Sequence, residues 1–105
     1  MTKYLLVYHG GGQMPASEEE GKKVMQAWMA WFGSLGGAVV DGGNPVGASK
    51  TMHPGGKVTD GGGANAATGY SVIEAKDDAD IAKKAKGCPH LADGGTIEIA
   101  PIMEM

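Results

Sequence analysis

The chain has no arginine, a single cysteine and no long apolar run. Arginine is the residue that grips phosphate and guanine with two parallel hydrogen bonds. With none present and a net charge of -3, a strongly basic nucleic-acid surface is excluded. The nine lysines leave only weak contacts, and no nucleic-acid partner is expected. Cys88 cannot form an intramolecular disulfide, and no paired CxxC spacing offers a zinc site. This cysteine usage suits a reducing compartment. Residues 1–9 are apolar but far too short for a membrane span or a secretory signal, and no cleavage-site pattern follows them. A cytoplasmic protein without a membrane partner is expected.

What the chain has in excess is glycine, 19 of 105 residues against a usual share of about 7%. The glycines cluster at 10–12, 36–37, 42–43, 55–56, 61–63 and 94–95. Clusters spaced this way read as turns between elements. The apolar share of 42% argues against disorder. The length suits one domain over residues 1–105, and pairing with a second copy would compensate for the limited core of a small chain.

Residues 3–9, KYLLVYH, read as a strand, with Leu5, Val7 and His9 on one face and Tyr4, Leu6 and Tyr8 on the other. Apolar residues on both faces predict cover on both sides. Residues 17–35 carry the strongest periodicity. Ser17 and Glu20 have capping-box spacing, and Glu18 and Glu19 place negative charge at the helix start. Val24, Met25, Trp28, Met29, Trp31, Phe32 and Leu35 then form a stripe roughly 160° wide, broader than one packed face requires. Gly36-Gly37 ends the helix.

Residues 38–41 predict a short strand, 46–60 a loose hairpin around Pro54-Gly55-Gly56, 61–69 a loop and 70–75 a strand. Residues 78–87 predict a second helix, with Asp77, Asp78 and Asp80 at its start and Lys83, Lys84 and Lys86 at its end. Residues 96–103 predict the last strand, where Pro101 calls for an edge position or a bulge. This order is close to βαββαβ, a ferredoxin-like α+β arrangement. Both helices are expected on one face of an antiparallel sheet, and a second subunit on the other face.

Several stretches are similar to a known family. The segment VTDGGG, the strand GYSVIEA, the acidic helix start, the AKGCPH helix end and the final TIEIAPI strand resemble the C-terminal half of YCII-related, DGPF-domain proteins. KYLLVYHGG and the stretch WMAWFGSLGGAVVDGGNPVG, a helix followed by a glycine-rich turn, resemble the first half. The resemblance implies a ferredoxin-like subunit assembled as a homodimeric α+β barrel, with a cleft between strands and the long helix. Most members have no established activity. The family tetrad reads Asp60-Gly61-Gly62-Gly63 here. For some members the resemblance implies a histidine on the first helix and an aspartate near the end of the second as a proton-transfer pair. The corresponding positions are Trp28 and Cys88, so that chemistry does not carry over.

The stretch Tyr8-His9-Gly10-Gly11-Gly12 looks like an oxyanion loop of esterases, but no G-x-S-x-G nucleophile elbow completes it. Two readings of His9 stay open. It is a strand-end residue with a local hydrogen bond, or a general acid/base oriented by Asp41. Asp41 and Asp60 each precede glycine, which is also ordinary turn chemistry. Trp28 and Met29 are core or dimer contacts, or the wall of a ligand cleft to which Asn44 and Asp60 contribute. His53 and His90 lie beside prolines without metal-ligand spacing, and no metal or cofactor is expected. Cys88 sits where a helix C-terminus raises a thiol pKa. The function expected is binding of a small organic molecule in a cleft. The alternative is a non-catalytic dimeric module that acts through a protein partner.

Overall fold

The computed structural model describes residues 1–11, 17–63 and 66–104. Gly12 of the expected first turn and residues 64–65 of the expected loop lie outside the described residues. The elements are β1 (Thr2–His9), α1 (Glu18–Leu35), a single 3-10 turn (Gly36–Ala38), β2 (Val39–Asp41), β3 (Lys50–Met52), β4 (Val58–Asp60), β5 (Ala67–Ala75), α2 (Asp78–Ala85), α3 (Pro89–Ala92) and β6 (Thr96–Pro101). The protein is α+β. Four strands form an antiparallel sheet in the order β2-β5-β1-β6, and β3 and β4 form a separate hairpin.

The sheet is asymmetric because its strands alternate. Tyr4, Leu6 and Tyr8 of β1 are buried, and they stand beside Ile73, Ser71 and Gly69 of β5. Trp31 of α1 and Ile81 and Ala85 of α2 join Tyr4, Leu6, Tyr8 and Ile73 in one cluster, so both helices cover this face. The other face carries Leu5, Val7, Tyr70 and Val72, which are only half-buried, together with exposed Glu98 and Ala100. The cover on both sides that the sequence predicted is therefore present on one side within the chain.

The helix ends follow their sequence signals. Ser17 is extended at φ -152°, and its Oγ accepts the Glu20 N–H at 3.2 Å. Asp77 does the same for Asp80 at 2.9 Å. Each side-chain oxygen satisfies an N–H that the helix itself cannot. The wide stripe on α1 divides. Trp31 is buried, and Trp28, Phe32 and Leu35 pack against the core, whereas Met25 and Met29 remain 66% and 70% exposed. Trp31 also ties the helices together, since its Nε1–H donates to the Lys84 carbonyl at 3.0 Å.

Three boundaries differ from the sequence reading. β5 begins at Ala67, within the expected loop, because Gly69 and Ala67 continue the ladder opposite Tyr8 and His9, with the register shifting by one residue at Thr68. The second helix stops at Ala85, and Pro89 opens a further short helix, where a missing N–H costs nothing. β6 closes at Pro101 on the sheet edge, the position a residue without an N–H tolerates.

Candidate functional site

A cavity of about 430 Å³ opens between α1, the loop after β2 and the start of β5. Trp28, Phe32, Met25 and Met29 form the helix wall, and Tyr8, Gly69 and Tyr70 the sheet side. Gly42 to Pro45 close one end and His90 borders it. The aromatic rings brace one another: Tyr8 meets Trp28 edge-on at 5.2 Å, and Trp28 lies 5.8 Å from both Trp31 and Phe32. Offset and edge-on pairs of this kind are the preferred aromatic geometries.

Beneath this wall runs a directed hydrogen-bond chain. The Ser71 hydroxyl lies 2.7 Å from the Gly42 carbonyl oxygen, which only accepts, so Ser71 donates there. Ser71 Oγ then accepts from the Tyr8 hydroxyl at 2.8 Å. The chain links β1, β5 and the loop after β2. Burial pushes the Tyr8 phenol up to about 12. Burial likewise pushes the Cys88 thiol up to about 11, against its hydrogen bonds with the His90 backbone and with the Tyr8 hydroxyl, which lower it. The upward direction matches the sequence reading, but the leading cause is desolvation rather than the helix end.

The structure does not bring His9 and Asp41 together. β2 and β1 are separated by β5, and Asp41 stands opposite Val72, which faces Leu5 rather than His9. The Asp41 carboxylate accepts the Gly43 N–H at 2.8 Å, the turn role open to an aspartate before glycine. His9 has a carboxylate beside it, but from β6: Nε2 lies 2.8 Å from Glu98 Oε1, and Nε2–H is the donor. Glu98 shares the half-covered face with Val7, and neither His9 nor Glu98 lines the cavity. The His9 carbonyl, in contrast, accepts from His90 Nε2 at 2.9 Å.

Trp28, Met29 and Asn44 do line the cavity. Asp60 does not: it is exposed on the β3–β4 hairpin, with Oδ1 2.8 Å from Lys50 Nζ. Sequence reasoning missed Tyr8, Gly69, Tyr70 and His90 as lining residues. The alternation of β1 put Tyr8 on the core face, but only the β1–β5 register shows that a glycine stands opposite it and leaves space there. Among the described residues, no group of three or more histidine, cysteine, aspartate or glutamate side chains is placed to hold a metal ion. No described helix is long and apolar enough to cross a membrane. No family model matches the chain, and no curated protein matches it.

Proposed function

We propose that this protein binds a small apolar organic molecule in the cavity between α1 and the sheet. The observation that carries this reading is the cavity itself, walled by Trp28, Phe32, Met25 and Met29 and floored by Tyr8. Binding sites of this size are typically apolar, with a few polar groups for orientation. Met25 and Met29 stand at the rim as adaptable, polarisable side chains. The test is titration with N-phenyl-1-naphthylamine, whose emission rises on entering an apolar site. Saturable enhancement that Gly69→Leu removes, with the circular-dichroism spectrum unchanged, is expected. No enhancement up to the solubility limit of the dye overturns the reading.

The same reading takes the subunit as ferredoxin-like and paired with a second copy through the helix-free face of the sheet. The strand order and the placement of both helices on one face support the first part, as does the resemblance to YCII-related proteins. Half-buried Leu5, Val7 and Val72 support the second. Sedimentation is expected to give twice the 10.7 kDa chain mass, and Val72→Lys to give the single mass. A wild-type monomer at micromolar concentration overturns the dimer.

A further inference from the structure

Met25 and Met29 are four residues apart on α1, so both side chains fall on one face of the helix. Both line the cavity, and both stay open to solvent, at 66% and 70% exposure. α1 covers the face of the sheet opposite the one proposed for pairing, so a second copy there leaves them open. The mouth of an apolar cavity thus carries two accessible thioethers.

Accessible thioethers react with peroxides. The sulfur lone pair attacks one peroxide oxygen, and an S–O bond forms as the O–O bond breaks. The second oxygen leaves as water with both peroxide protons, so the sulfur is oxidised and the peroxide reduced. The product, methionine sulfoxide, is polar where the thioether was apolar, and sulfoxide reductases reverse the change. Cys88 does not compete for the oxidant. It is 3% exposed, and burial keeps it in the thiol form rather than the reactive thiolate.

Placement at the mouth gives the modification a consequence. Val24 and Phe32 share this wall and offer a sulfoxide oxygen only carbon, and no lysine side chain borders the cavity among the described residues. The new oxygen therefore keeps water at the mouth, and a ligand that covers it must strip that water at a cost. Resting on the cavity reading above, we infer that Met25 and Met29 form a modification site, where hydrogen peroxide converts both thioethers to sulfoxides and weakens binding of the apolar ligand. Reduction of the sulfoxides restores it.

The test is titration of the full chain with N-phenyl-1-naphthylamine before and after peroxide treatment, with the peroxide removed before the dye is added. Tandem mass mapping is expected to find one added oxygen on each of Met25 and Met29, and the dye dissociation constant to rise about ten-fold. Methionine sulfoxide reductases of both epimer specificities should reverse both changes. Met25→Leu/Met29→Leu keeps apolar side chains that peroxide leaves intact. Treated and untreated samples of that variant should bind the dye equally, whatever their shared affinity. If the variant fails to fold, wild type decides: affinity that stays low once mapping shows both thioethers restored overturns the inference. Sulfoxides on Met25 and Met29 with unchanged dye affinity overturn it and leave the cavity reading standing. So does an equal loss in the leucine variant. Met52 and Met103 are exposed and lie outside the cavity lining, so they report the reach of the oxidant. Their oxidation with Met25 and Met29 spared also overturns the inference. No dye binding by the untreated protein overturns both readings.

Discussion

The Tyr8 hydroxyl donates to Ser71 Oγ at 2.8 Å, and that bond fixes which partner suffers when either is removed. Tyr8 has one proton to give, and Ser71 passes its own to the Gly42 carbonyl. Ser71 is fully buried, so its removal strands two groups at once: the Tyr8 donor and the Gly42 acceptor. Tyr8→Phe leaves one accepting lone pair on Ser71 unmet and removes the hydroxyl beside Cys88, while Ser71 keeps its bond to Gly42. Leaving buried polar groups unmet costs more than losing one net bond. Ser71→Ala is therefore expected to cost roughly 2 kcal/mol and Tyr8→Phe about 1 kcal/mol. Urea unfolding of the two variants checks the order, and a larger loss in Tyr8→Phe contradicts the direction of the chain.

Trp31 joins packing and hydrogen bonding in one side chain. It is 5% exposed, contacts Trp28 and Phe32, and reaches Lys84 of α2. Trp31→Ala should cost about 3–5 kcal/mol, the range for deleting a large aromatic from a core. In a chain this small that approaches the whole stability. Trp31→Phe keeps most of the contact and loses the bond to the Lys84 carbonyl, so an intermediate loss is expected. Equal denaturation midpoints for Trp31→Phe and wild type would mean that the link between α1 and α2 contributes nothing.

Two glycines give opposite expectations for one substitution. Gly43 has φ +72°, and a Cβ there would sit 1.7 Å from the Tyr70 carbonyl oxygen, which is backbone and cannot rotate away. Gly43→Ala should displace the loop that closes the cavity and strongly destabilise the fold. Gly33 lies within α1 with nothing within 4 Å of its Cβ position. Gly33→Ala should stabilise by about 0.5–1 kcal/mol, because glycine in a helix interior pays more backbone entropy than alanine. Thermal unfolding of the pair reads both signs.

The contrast between Gly43 and Gly33 also shows where the sequence is informative. Local chemistry carries through: the caps at Ser17 and Asp77, the alternation of Tyr4, Leu6 and Tyr8, and Pro101 at an edge all depend on near neighbours. Asp41 likewise makes the turn bond that an aspartate before glycine offers. The candidate site depends on register instead. That Gly69 faces Tyr8, that Glu98 rather than Asp41 reaches His9, and that His90 returns to the His9 carbonyl all join residues at least 60 positions apart. Trp28, Met29 and Asn44 were within reach of sequence reasoning because a helical stripe and an adjoining glycine-rich turn suffice to place them. Asp60 was not, because the hairpin carries it away from the sheet.

Stability should fall at alkaline pH, for a reason that can be assigned. Cys88 and Tyr8 are acids kept neutral by burial, with pKa values raised from ordinary values of 9.0 and 10.0 to about 11 and about 12. Above the ordinary value the unfolded chain releases a proton that the folded chain retains, so rising pH favours unfolding. The contribution of each group is complete below its unfolded value. For Cys88 it is lost between about pH 9 and 11, and for Tyr8 between about pH 10 and 12. Asp80 acts in the opposite sense. The Lys76 N–H and the Lys84 ammonium hold its carboxyl below 3.8, so its contribution is present at neutral pH and is lost as the pH falls below that value. Urea midpoints measured from pH 7 to 11 should stay level to about pH 9 and then decline. In Cys88→Ala the first part of that decline should flatten, while the later part, due to Tyr8 and to Tyr4, whose phenol burial also raises, remains. A decline of unchanged slope in Cys88→Ala would assign the alkaline loss to other groups and remove Cys88 from the account.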